Sequence, residues 1–164
     1  MLFTKTMKLR IYPDNEQIQQ FQALTEIYRQ ACNFVSNYIF ENNFELNSAK
    51  LNKVLYHEVR TQFGLKAQLT QSVFRTTTAR YKTLKEQLYQ NPYKFRDEYT
   101  GKHYSIHKDL IWLRKPIEFS RPQADLVRSR DYCFLQKGHV LSLNTLEERV
   151  EVDFESECFQ EYFD

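Results

Sequence analysis

From Lys5 to Tyr12 the chain alternates, with Met7, Leu9 and Ile11 on one side and Lys8, Arg10 and Tyr12 on the other. A period of two predicts a half-buried strand. Pro13 to Gln17 stops it, and Asp14 with Gln17 three places on is the pair that closes a helix start reciprocally. Apolar residues then recur at helical spacing: Ile18, Phe21, Leu24, Tyr28, Ala31, Val35, Tyr38 and Ile39. They predict a long amphipathic helix that weakens at Asn42 and Asn43. Asn47 or Ser48 caps a second helix with Leu51, Val54, Leu55 and Val59 as its buried stripe, and Gly64 ends it. A third helix runs from about Lys66 to Tyr89 and stops at Asn91-Pro92, because the residue before a proline is pushed out of the helical region.

Placed at about 100° per residue, Leu69, Val73, Thr77, Tyr81, Leu84 and Leu88 of the third helix share one side. Gln68, Gln71, Arg75, Thr78 and Lys82 fall on the other, with amides, a hydroxyl and cations but no acid among the five. Solvent faces ordinarily mix charge signs, so this set is a candidate for phosphate contact. From Pro92 to Trp112 periodicity fades into an aromatic and charged stretch, a loop or a short helix. Lys115 to Phe119 suits a short edge strand, Pro116 forbidding a central one. Tyr132 to Leu135 and Val140 to Leu143 flank a turn and predict a hairpin, and Val150, Val152 and Phe154 alternate with Glu151 and Asp153 as a last strand.

One strand cannot fold alone. A first strand about 100 residues from its sheet partners therefore predicts an α+β fold, a β-barrel or sheet interrupted by a helical insertion. Residues 1–13 and 113–164 form the β part, and residues 14–112 the inserted three-helix lobe.

With 164 residues, 41% hydrophobic and 27% charged, and only three Gly and four Pro, the composition is that of a globular chain. No apolar run approaches the roughly 18 residues of a membrane span, and the start has no secretory signal pattern, so a cytoplasmic protein without a membrane partner is expected. Cys32, Cys133 and Cys158 are odd in number and widely separated, which predicts reduced, mostly buried thiols. Charge is sorted along the chain. Residues 59–130 hold fifteen basic and six acidic side chains, whereas residues 131–164 hold two basic and nine acidic. The middle suits a polyanion and the tail would repel it.

Catalytic patterns are weak. His103 and His107 are four apart, but Tyr104 stands where a zinc-protease motif has Glu, and no CxxC occurs. Cys133 and His139 could pair as nucleophile and base, but a cysteine in an alternating strand is ordinarily core. Gly64, Gly101 and Gly138 are isolated, which excludes glycine-rich phosphate loops. Glu147, Glu148, Glu151, Asp153, Glu155 and Glu157 read as a solvated run. No enzyme, metal site or cofactor is expected from these residues.

The opening Lys5-Thr6-Met7-Lys8-Leu9-Arg10-Ile11-Tyr12-Pro13, followed by a capped helix carrying Ala31-Cys32-Asn33-Phe34-Val35-Ser36-Asn37, resembles that of the TnpB (OrfB) family. These are transposon-encoded RNA-guided nucleases related to the compact type V CRISPR effectors. Further likeness lies in Phe63 to Ser72, in Pro116 to Pro122, and in Leu141 to Leu146 running into Arg149 to Val152. The stretches are collinear over essentially the whole chain. The resemblance implies a wedge domain, an OB-like β-barrel left unfinished here, with a helical recognition lobe inserted. In the family these parts grip guide RNA, target-adjacent duplex and heteroduplex by backbone shape and charge, while pairing reads sequence. By position Lys5, Lys8 and Arg10 would lie on the wedge strand, and Arg75, Thr78 and Lys82 on the lobe helix facing nucleic acid. The family continues beyond the equivalent of Asp164 into a RuvC-like nuclease and a zinc ribbon, so the resemblance implies a non-catalytic part.

The leading expectation is thus a nucleic-acid-binding module for structured guide RNA and/or DNA, with the missing nuclease part or a second copy as further partners. Two alternatives come from other features. An unfinished barrel would leave Val150 to Phe154 as an exposed edge for a protein partner. The Gly64-Leu65 turn between two helices also suits a helix-turn-helix in which Gln71 and Arg75 contact base edges of duplex DNA.

Overall fold

The first strand is shorter than its alternation predicts. In the computed structural model, which describes residues 6–135 and 139–155, β1 is Arg10–Tyr12. Its partner is the last strand, β6 (Arg149–Glu155), with Arg10 opposite Glu155 and Tyr12 opposite Asp153. The positions that would face residues before Arg10 lie past Glu155, outside the described residues. Leu9 nevertheless packs on the sheet's apolar cluster.

The helices begin and end where local chemistry places them. For α1 (Asn15–Glu41), the Asp14 carboxylate accepts from Gln17 N at 2.8 Å and Gln17 Oε1 accepts from Asp14 N at 3.1 Å, so two orphan donors are satisfied reciprocally. Asn47 Oδ1 caps α2 (Ser48–Phe63) by accepting from Ala49 N and Lys50 N, and Gly64 closes it in the left-handed region at φ +62°. α3 (Ala67–Gln90) ends before Asn91-Pro92. Leu24, Tyr28, Ala31, Val35 and Ile39 of α1 pack with Leu51, Leu55 and Val59 of α2 and Leu69, Val73 and Tyr81 of α3 into one core.

Residues 92–112, expected as a loop or short helix, instead hold a β-hairpin, β2 (Tyr93–Arg96) with β3 (His103–Ile106), and one 3-10 turn at Leu110–Trp112. Asp97 organises the hairpin turn by accepting from Tyr99 N and Thr100 N, and Gly101 supplies φ +67°.

The strand expected at Lys115 to Phe119 does not form. The chain there runs as an extended strap over the helices, burying Phe119 and placing Leu113, Ile117, Ala124 and Leu126 on their core. Helix side chains replace the missing strand partner. Asn33 Nδ2 donates to Phe119 O at 3.1 Å, and its Oδ1 accepts from Phe119 N at 2.7 Å. Ser36 Oγ donates to Ile117 O at 2.6 Å, Ile117 N donates to the Tyr81 hydroxyl at 3.2 Å, and Asp125 N donates to Ser72 Oγ at 3.0 Å. An irregular segment on a core needs such partners for its backbone polar groups.

After the strap, β4 (Tyr132–Leu135) and β5 (Val140–Asn144) form the expected hairpin, its turn at 136–138 lying outside the described residues. The antiparallel order is β1-β6-β5-β4. Asp153 and Phe154 are therefore paired with β1, whereas Val150 to Val152 have β5 on one side and no strand on the other among the described residues. The first strand's return occupies only the Asp153 to Glu155 end of the side that was expected to be open. The fold is mixed helix and antiparallel sheet, and among the described residues the sheet is open rather than closed into a barrel. No helix of the described residues is long and apolar enough to cross a membrane.

Candidate nucleic-acid interface

The strap divides the α3 face that the helical wheel singles out. Gln68 is buried and its Oε1 accepts from Arg130 Nη1 at 3.0 Å. Thr78 is buried and its hydroxyl donates back to Phe74 O and Arg75 O, so it is spent on its own helix. Arg75 is exposed, but Nη2 and Nε lie 3.1 and 3.3 Å from Asp125 Oδ2 on the strap. Gln71 lines a shallow concavity beside Arg75 with Ser48, Ala49 and Asn52 of α2. Lys82 is exposed and pairs with no carboxylate among the described residues. Glu86, one turn beyond it, falls about 20° from Arg75 at helical spacing, so the full face carries an acid as well. Of the five, Gln71, Arg75 and Lys82 reach solvent.

The first-strand set is placed differently. Lys5 lies outside the described residues, and Lys8 is exposed. Arg10 sits over the Tyr12 ring at 5.6 Å and opposite Glu155, whose carboxylate accepts from the Tyr12 hydroxyl at 2.6 Å. Glu151, Asp153 and Glu155 all point outward from β6, the alternate residues Val150, Val152 and Phe154 being buried. Arg10 thus shares its face with carboxylates.

A second set of cations emerges only in three dimensions. Two clefts border the strap: one of ≈ 540 Å³ against α3, bordered by Thr76, Arg80, Thr83 and Arg121, and one of ≈ 360 Å³ against α1, bordered by Asn33, Asn37 and Lys115, with Glu118 on both. Arg80, Lys115 and Arg121 are exposed and pair with no carboxylate among the described residues. Of the fifteen cations in residues 59–130, only Arg75 and Lys85 pair with a carboxylate of the described residues. Two clues in the sequence pointed here. Asn33, Ser36 and Ser72 interrupt apolar helix stripes where the strap's backbone docks, and Arg121 lies within that strap.

Groups weighed for catalysis are dispersed. His103 is on β3, whereas His107 stacks on Tyr89 at 4.2 Å with Nδ1 2.9 Å from the Tyr89 carbonyl. Among the described residues no three His, Cys, Asp or Glu side chains gather as a metal site. Cys133 faces Ser142 across the β4–β5 ladder, while the His139 carbonyl accepts from Phe154 N. Burial pushes the Cys32 thiol up to about 12, so it stays protonated and unreactive at neutral pH. No family model, no curated protein and no solved structure matches this chain.

Proposed function

We propose that this chain is a non-catalytic nucleic-acid-binding module that grips structured RNA, or an RNA–DNA hybrid, by its backbone. The observation that carries the reading is the cation surplus of residues 59–130, left almost wholly without carboxylate partners among the described residues, with Arg80 and Arg121 on the α3–strap cleft and Lys115 on the α1–strap cleft. Solvated cations of this kind exchange counterions for phosphates, and the threonines and asparagines beside them donate hydrogen bonds to phosphate oxygens. The order strand, three helices, antiparallel strands, with the first strand returning to the sheet, agrees with the wedge-and-lobe arrangement of the TnpB resemblance. On that reading the sheet is part of an OB-like wedge, and the ligand is guide RNA and/or target DNA.

Titration of labelled structured RNA at roughly 50 and 200 mM salt tests the proposal. Affinity should fall steeply with salt, and Arg80→Ala with Arg121→Ala should flatten log affinity against log salt by about 0.7 to 0.9 for each phosphate no longer neutralised. Equally weak binding to RNA, duplex DNA and a neutral polymer at both salts would overturn it.

A further inference from the structure

All eight strand residues of the β2–β3 hairpin are exposed. Its ladder sets Tyr93 opposite Ile106 and Phe95 opposite Tyr104, so these four share one face. Trp112 extends the row. Centroids are 5.6 Å apart from Tyr104 to Phe95, 5.9 Å from Phe95 to Tyr93 and 6.2 Å from Tyr93 to Trp112, with interplanar angles of 24°, 25° and 39°. The four rings keep between 37% and 50% of their surface in solvent. A contiguous aromatic surface left bare on a small domain marks a binding site rather than a core.

We infer that this ribbon is a stacking platform for the unpaired bases of single-stranded nucleic acid, an inference that rests on the nucleic-acid reading above and names a ligand class within it. Charge favours that occupant. Lys94 and Arg96 lie on the opposite face and Lys102 at the turn; Arg96 Nε donates to Gly101 O at 3.3 Å, and none of the three pairs with a carboxylate among the described residues. Of the two turn acids, Asp97 is committed to backbone N–H groups, which also hold its carboxyl below the usual range. Long cationic side chains reach the ribbon's rim, where the phosphates of a strand lying across the rings would run. Spacing selects the single strand. Bases in a stacked strand rise about 3.4 Å apiece, so bases seated on rings nearly 6 Å apart must be separated from one another, which a duplex resists at a few kcal/mol per step. The rings are held in place, since His107 stacks on Tyr89 at the end of α3 and Asp109 approaches Lys85 of the same helix.

Trp112 is the sole tryptophan of the chain and sits at the end of the row, so its fluorescence reports on stacking directly. Labelled oligothymidylate should bind and quench that fluorescence. Phe95→Ala or Tyr104→Ala should each weaken oligothymidylate binding by about 5- to 150-fold, the range for removing one base–ring stack. Tyr104→Phe should restore it, and all three variants should bind structured duplex RNA as the unaltered chain does. Salt-sensitive binding of duplex RNA, with no quenching by oligothymidylate and no effect of the alanine variants, would overturn the platform and leave the proposed function standing. Failure to bind any nucleic acid would overturn both. Self-association in light scattering that Phe95→Ala abolishes, without quenching, would overturn the inference in favour of a protein partner.

Discussion

Asn33 makes two hydrogen bonds to one backbone position, donating to Phe119 O and accepting from Phe119 N, as a neighbouring strand would. Asn33→Leu keeps the size and removes both, leaving a donor and an acceptor stranded under the strap. The expected loss is about 1 to 3 kcal/mol of folding stability, read from urea unfolding. Gln30→Ala on the exposed side of α1 should stay within about 0.5 kcal/mol. Cys32 makes a pH-dependent prediction. Its folded thiol holds its proton to about 12, from an ordinary value of 9.0, because burial disfavours the thiolate. Above pH 9 the unfolded chain releases that proton and the folded chain does not, so unfolding gains as pH rises. The contribution is fully present below pH 9 and is lost by up to about 1.4 kcal/mol per pH unit towards 12. Unfolding free energies measured on either side of pH 9 should decline less steeply in Cys32→Ala.

Elements defined by neighbours in sequence were legible beforehand, and those defined by distant partners were not. The Asp14–Gln17 capping box, the Asn47 cap and the Gly64 terminus are each complete within four residues, and all three stand where the sequence puts them. Gly64 offers a direct check. A Cβ there would meet nothing within 4 Å, so Gly64→Ala should cost only its strained φ of +62°, about 1 to 2 kcal/mol in a thermal melt. The β2–β3 ribbon was missed, having been expected as a loop or a short helix. Tyr93 and Phe95 alternate with Lys94 and Arg96, and Tyr104 and Ile106 with Ser105, but apolar residues facing solvent carry no sign of which core they serve. The strap was legible only as polar breaks in the helix stripes, not as the segment that fills them. Its partners Asn33, Ser36, Ser72 and Tyr81 lie between 36 and 86 residues away, so Lys115 to Phe119 shows extended backbone without showing what pairs with it.

For the molecule as a whole, the segregation of charge along the chain becomes a segregation of surfaces. Acids project from β6, and cations surround α3, the strap and the ribbon. Carboxylates such as Glu86, Asp109, Glu118 and Asp125 lie on the cationic side all the same, and Asp125 is the one paired with the Arg75 face of α3. Asp125 rides the strap onto α3 and neutralises Arg75 at 3.1 Å, although both side chains remain open to solvent. Such an exposed pair adds little to stability, so Asp125→Asn should leave the melting transition within about 0.5 kcal/mol of its original position. Its effect on a polyanion should be larger. The amide is close to the carboxylate in shape yet uncharged, freeing the Arg75 guanidinium for a phosphate and removing a repulsive charge beside it. If the polyanion lies along α3, Asp125→Asn binds structured RNA more tightly at about 50 mM salt, and the gain shrinks towards 200 mM as one more counterion is released on binding. A gain independent of salt would mean that Asp125 acts through the strap's conformation, and no gain would place the RNA away from Arg75, on the Arg80–Arg121 side of the helix. The three outcomes separate a charge acting at the interface from one acting through the fold, which neither the wheel nor the ion pair alone can do.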